Sequence, residues 1–138
     1  MSAKRRSRAA RWKPYRSGLE AAIAVGLTKA KVKFEYEKLK VPFTQPEQQR
    51  VYIPDFVLKK GKKVLCVIEA KGKLDSDGRK KLLWVKEQNP NLNLKILFQR
   101  ANNKIRKGSK VTYADWATKH GFEYADFEKG GIPAKWTR

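Results

Sequence analysis

Residues 51–72 read VYIPDFVLKKGKKVLCVIEAKG, and the fold turns on how this stretch is parsed. Val51 to Leu58 is a short apolar run interrupted by Pro54 and a lone acid, Asp55. Lys59-Lys60-Gly61-Lys62-Lys63 is a turn signal, since glycine takes the positive φ that a tight turn can need. Val64 to Ala70 is rich in branched apolar residues and predicts a second, more buried strand. Together they make a hairpin. Side chains alternate across a strand, so Leu65, Val67, Glu69 and Lys71 share a face, with Glu69 and Lys71 about 7 Å apart along it. An acid at the end of one strand then converges with an acid and a lysine at the end of its neighbour. Carboxylate oxygens are the hard ligands that Mg²⁺ takes, one or two at a time beside water and a phosphate. An ammonium there can stabilise charge on phosphoryl oxygens or position an attacking water. The plainer alternative is a surface pair between Glu69 and Lys71, worth under about 1 kcal/mol. The upstream Pro-Asp, and a run too apolar for a solvated edge, weigh against it.

The chain has 138 residues, the length of one domain with a sizeable core. Its 33 Lys and Arg against 13 Asp and Glu leave a net charge of +20, while 41% of residues are hydrophobic. A basic chain with material for a core suggests a folded partner of polyanions, above all nucleic acid. No segment has the pattern of a basic amphipathic anchor or the roughly 18 apolar residues that span a bilayer, so no membrane role is expected. No apolar stretch follows the basic start, which argues against a signal peptide. A single cysteine, Cys66, excludes an internal disulfide and fits a reducing cytoplasm. It lies on the strand face opposite Glu69. With one Cys and one His (His120), a Cys/His zinc site lacks ligands.

Outward from the hairpin, Gly72 ends the strand, and Asp75-Ser76-Asp77 offers N-caps for a helix to about Gln88. Leu82, Val85 and Trp84 would face the sheet, with Arg79, Lys80 and Lys81 toward a ligand. Asn89-Pro90 stops that helix. Leu92, Leu94, Ile96 and Phe98 alternate as a further strand, so residues 64–98 read as a βαβ unit with parallel strands. Residues 102–110 form a polar loop carrying Lys104, Arg106 and Lys107. Thr112 caps a short helix to Lys119, stopped by Gly121, with Tyr113 and Trp116 inward. The tail from Phe122 shows little pattern beyond a final turn pinning Trp136.

Toward the N-terminus, Ser17 to Glu20 fits a capping box, which by spacing alone explains Glu20. Leu19, Ala22, Ile23, Gly26, Leu27 and Ala30 form the apolar stripe of that first helix. Val32, Phe34 and Tyr36 alternate as a strand, and the phase slips to Leu39, Val41 and Phe43, which predicts a bulge or bend near Glu37-Lys38. Pro42 and Pro46 bracket an extended stretch that cannot be central in a sheet, and residues 45–50 read as a stiff connector. Residues 1–16 carry Lys4, Arg5, Arg6, Arg8, Arg11, Lys13 and Arg16 and no acid. Such a block is either a solubility tail or an arm that orders on a phosphate backbone; Trp12 and Tyr15 favour docking.

These elements resemble phage endonuclease I of the T-odd coliphage type, Holliday-junction-resolving nucleases of the PD-(D/E)xK superfamily. The resemblance rests on R-S-G-L-E (16–20), F-E-Y-E (34–37), K-V-P (40–42), Y-I-P-D-F (52–56), E-A-K-G (69–72), R-K-K (79–81), K-H-G (119–121) and I-P-A-K-W (132–136). It implies an α/β fold of mixed α+β kind, a central mixed sheet flanked by helices. It implies a basic arm over residues 1–16 and a nuclease domain over 17–138. Within that domain the first helix and strand take 17–43, a bridge 44–50, and the catalytic hairpin with the βαβ lobe 51–138. By motif, Glu20, Asp55, Glu69 and Lys71 would be catalytic, with Asp55, Glu69 and Glu20 holding Mg²⁺ or, in its place, Mn²⁺. The resemblance also implies a homodimer with exchanged elements joined by a β-bridge, each site combining the first helix of one chain with the hairpin of the other. The implied substrate is branched DNA, cut in the cytoplasm of a phage's host, with Arg5, Arg6, Arg8, Arg11, Lys13, Arg16, Arg79, Lys80, Lys104, Arg106 and Lys107 as candidate DNA contacts. The connector at residues 44–49 departs from the family pattern. Two rival readings are the same chemistry on duplex or mismatched DNA, and a basic nucleic-acid-binding protein without catalysis.

Overall fold

Two strands that the sequence shows side by side, residues 56–60 and 63–71, form the centre of a five-stranded mixed sheet. The computed structural model describes residues 14–45 and 48–138. Arg5, Arg6, Arg8, Arg11, Trp12 and Lys13 lie outside the described residues, as do Pro46 and Glu47.

In chain order the elements are α1 (Gly18–Lys29), β1 (Lys33–Tyr36), β2 (Val41–Gln45), β3 (Gln48–Tyr52), β4 (Phe56–Lys60), β5 (Lys63–Lys71), α2 (Ser76–Gln88), β6 (Leu94–Phe98), α3 (Tyr113–Lys119), β7 (Glu123–Asp126), α4 (Phe127–Gly130) and a 3₁₀ turn (Ala134–Thr137). The main sheet runs β1-β4-β5-β6-β7. β1, β4 and β5 are antiparallel neighbours, whereas β6 and β7 add parallel to β5. The expected hairpin and βαβ unit are both present. Gly61, at φ +63°, takes the left-handed turn that joins β4 to β5.

Alternation along β4 and β5 builds two cores. Phe56, Leu58, Cys66 and Ile68 face Ile23, Ala24 and Leu27 of α1, together with Trp136. Val57 and Val67 face Leu82 and Val85 of α2, and Tyr113 and Trp116 of α3. Each Val, Leu, Ile or Phe side chain among them, once buried, contributes about 1.5–3 kcal/mol through the area it removes from water. Cys66 lies opposite Glu69 as expected, and burial pushes its thiol up to about 11. Asp75 caps α2, and Thr112 and Asp115 form a full capping box on α3.

Three expectations need correction. Residues 51–58 are not one strand: Val51 and Tyr52 end β3, Pro54 cannot extend a ladder, and β4 begins at Phe56. The phase slip at Glu37-Lys38 is by contrast the bend, one of its two readings: β1 ends at Tyr36, Glu37 turns at φ +51° and the chain leaves the main sheet. The connector is itself paired. β2 and β3 form a separate two-stranded sheet, with Val41 opposite Tyr52 and Pro42 opposite Val51. In a two-stranded sheet both strands are edges, so Pro42 costs no central hydrogen bond. The α1 stripe is rotated, with Ala24 buried and Ala22 and Ala30 exposed. The tail also contains a strand, β7, whose four half-buried residues are held by parallel pairing with β6.

Candidate active site

Register brings the acids together. Phe56 pairs with Ile68, so Asp55 at the mouth of β4 stands beside Glu69 and Ala70 on β5. The Ala70 amide donates to Asp55 Oδ2 at 2.8 Å and fixes that carboxyl against the strand. Glu69 is buried, 8% exposed; its Oε2 accepts from the Tyr52 hydroxyl at 2.7 Å and its Oε1 lies 3.3 Å from Lys71 Nζ. Although the backbone spaces Glu69 and Lys71 widely, their side chains meet.

From the other core, α1 delivers Glu20, also 8% exposed. Ser17 Oγ accepts from the Glu20 amide at 3.1 Å, which is the first half of the capping box. The Glu20 carboxylate is drawn elsewhere: Oε1 accepts from the Tyr36 hydroxyl at 3.1 Å and from Ser17 Oγ at 3.3 Å. Glu20, Glu37 and Asp55 each offer a carboxylate oxygen within 4.8 Å of the others. A buried polar side chain facing two further acids is more than a helix cap requires.

These groups line a cleft of about 480 Å³ that also takes in Arg16, Ser17 and Lys81. Burial, then the charge of Glu69, then hydrogen bonding to Glu20 push the Asp55 carboxyl up to about 9. Burial and the same Glu69 charge hold the Tyr52 hydroxyl well above its ordinary range, so it stays a donor. Such a concentration of hard oxygen donors fits a divalent cation.

The family model for phage endonuclease I matches residues 1–138. Endonuclease I of Escherichia phage T7 is 40% identical over 124 residues, covering 90% of this chain and 78% of the relative. Endodeoxyribonuclease 1 of Enterobacteria phage T3 is 39% identical over 120 residues, covering 87% and 76% respectively.

The chain belongs to the phage endonuclease I family.

This family member is an endonuclease, and its fold is the mixed sheet flanked by helices that the resemblance implied. The cleft unites Glu20, Asp55, Glu69 and Lys71 within one chain. Arg16 joins them at the rim, 3.7 Å from Glu37. Lys80 and Lys81 line an adjoining cleft of about 570 Å³ that shares Lys71 with the first. Arg79 has a structural use instead, its Nη1 donating to the Leu74 and Ile105 carbonyls at 3.0 and 3.5 Å. Lys104, Arg106 and Lys107 are exposed on the 101–112 loop and line neither cleft.

Sequence reasoning gave no role to Glu37 or Tyr52. Glu37 lies in the quoted F-E-Y-E run, but its approach to Asp55 depends on the turn at φ +51°, where its amide donates to the Asp55 carbonyl at 3.2 Å. Tyr52 reads as a core aromatic, and only the placing of β3 beside β5 in the folded chain puts an acid at its hydroxyl.

Proposed function

We propose that the chain is a structure-selective endodeoxyribonuclease that resolves four-way and other branched DNA junctions by metal-dependent phosphodiester hydrolysis. The observation that carries this reading is the convergence of Asp55, Glu69 and Glu20 on one cleft with Lys71 beside them. Asp55 and Glu69 would hold Mg²⁺, or Mn²⁺ in its place, with Glu20 alongside and Glu37 within reach. When bound, the cation would lower the pKa of a water and stabilise charge on the scissile phosphate.

The chain's own groups do the rest. Lys71, anchored by Glu69, neutralises charge developing on the phosphoryl oxygens. Asp55, pinned by the Ala70 amide, is held beside Glu20 and Glu69 at the cleft. The substrate is held by phosphates rather than read by bases, as suits a net charge of +20. Arg16, Lys80 and Lys81 lie nearest the site, and the arm at residues 1–16 supplies contacts beyond the body at 17–138.

The working form is a homodimer in which α1 and β1 are exchanged. The chain reaches β4 from β1 through β2 and β3, so exchanging α1 and β1 through this connector keeps the α1 packing and the β1–β4 pairing while moving them between chains. The decisive assay offers an immobile four-way junction and its linear arms with Mg²⁺, Ca²⁺ or EDTA. Paired nicks near the branch with Mg²⁺ alone, and junction binding without cutting by Glu69→Gln and Lys71→Ala, are expected. Equal cutting of junction and arms would remove the structure selectivity. Tight binding without cutting would make the chain a binding protein.

A further inference from the structure

We infer that Tyr52 is a positioning residue for the Glu69 carboxylate, and that through it the β2–β3 sheet sets the geometry of the metal-holding face. This rests on the reading of Glu69 as a metal ligand. Tyr52 is 1% exposed and packs among Val41 and Phe43, where a phenylalanine ring would fill the same space. A buried hydroxyl is costly unless bonded, so its presence there calls for a partner. That partner is Glu69 Oε2 at 2.7 Å, a short bond of the charge-assisted kind.

The torsion that turns a glutamate carboxylate is soft and broad. Here two donors remove that freedom from opposite ends, Tyr52 on Oε2 and Lys71 on Oε1 at 3.3 Å. Each oxygen has a second lone-pair direction, and these remain for a cation. Without the Tyr52 bond the carboxylate would be free to swing toward Lys71, and the cation would lose a pre-set ligand.

Tyr52 does not belong to the sheet that carries Glu69. It ends β3, opposite Val41, and the β2–β3 sheet is docked on α2 by side chains at the helix end. The Gln88 amide pairs with both the amide and the carbonyl of Thr44, as a neighbouring strand would, and Asn89 Nδ2 donates to the Pro42 carbonyl at 3.1 Å. Lys81 of the same helix lies 5.6 Å from the centre of the Tyr52 ring. A tilt of the small sheet on α2 therefore moves the Tyr52 hydroxyl and, with it, Glu69. The element that links α1-β1 to the body thus has a direct hold on one catalytic carboxylate.

The test is calorimetric titration of Mn²⁺ alone, without DNA, into the full chain and three variants: Tyr52→Phe, Glu69→Gln, and Tyr52 replaced by 4-aminophenylalanine, which keeps a donor in place. Glu69→Gln should lose the strong site. Tyr52→Phe should weaken Mn²⁺ by roughly 10–100-fold, the usual reach of a group that orients a metal ligand, and the amino variant should recover most of the loss. In cleavage, Tyr52→Phe should need more Mn²⁺ yet approach the normal kcat at saturation, with junction affinity in EDTA unchanged. Wild-type Mn²⁺ affinity in Tyr52→Phe, alongside loss in Glu69→Gln, would overturn the inference and leave the ligand reading standing. Equal weakening in both Tyr52 variants would assign the effect to packing and overturn it too. Unaltered affinity in Glu69→Gln would remove the ligand reading, and the inference with it.

Discussion

Lowering the pH should cost this site its metal before it costs the fold. Burial and the neighbouring Glu69 charge push Asp55 up to about 9, so without a cation the protonated form should outweigh the ionised one at pH 7, by about 100 to 1 at that value. A divalent ion must displace that proton to use the carboxylate. Apparent Mn²⁺ affinity at pH 7 should thus lie about 100-fold below its high-pH limit and rise about tenfold per pH unit on the way there. Titrations at pH 6.5, 7.5 and 8.5, repeated in buffers of different ionisation enthalpy, read both the slope and the proton released. The stability of the metal-free protein moves the opposite way. Asp55 binds its proton more tightly folded than unfolded, so its contribution is full below about pH 4 and is lost as pH rises toward about 9, by up to about 1.4 kcal/mol per unit. Saturating Mn²⁺ should flatten that decline. A Mn²⁺ affinity independent of pH, with no proton released, would refute the reasoning.

Mixed dimers test the exchange of α1. In a Glu20→Gln with Glu69→Gln heterodimer, exchanged chains put both lesions in one site and leave the other whole; unexchanged chains spoil both. Random mixing should restore roughly a quarter of wild-type nicking sites if the elements are exchanged, and none if they are not. Glu37→Gln should weaken Mn²⁺ several-fold in the same calorimetry, since Glu37 shares the acid cluster, whereas unchanged affinity would leave it outside the metal's reach. Trp136→Ala should cost about 3–5 kcal/mol in urea unfolding, because the ring is 3% exposed against Cys66 and Ile68.

Short-range pattern is the part of this structure that can be read from residue order alone. Period-2 alternation marks β5 and β6, turn chemistry marks Gly61, and Asp75, Thr112 and Gly121 bound their helices by capping. Asp55, Glu69 and Lys71 could be picked out because a hairpin needs no distant information to juxtapose its ends. Glu20 shows the limit: its spacing from Ser17 satisfies a cap, and only the packing of Ile23 and Leu27 on Ile68 turns its carboxylate toward Asp55. β7 was illegible for a related reason, since four half-buried residues acquire strand geometry from the ladder offered by β6 and not from periodicity of their own. The division of residues 51–58 between two sheets, the approach of Glu37 and the hold of Tyr52 on Glu69 were likewise decided by tertiary structure. Each depends on groups distant in the chain meeting within a hydrogen bond's length. No local pattern records such a meeting, because the register and packing that create it belong to the folded sheet as a whole.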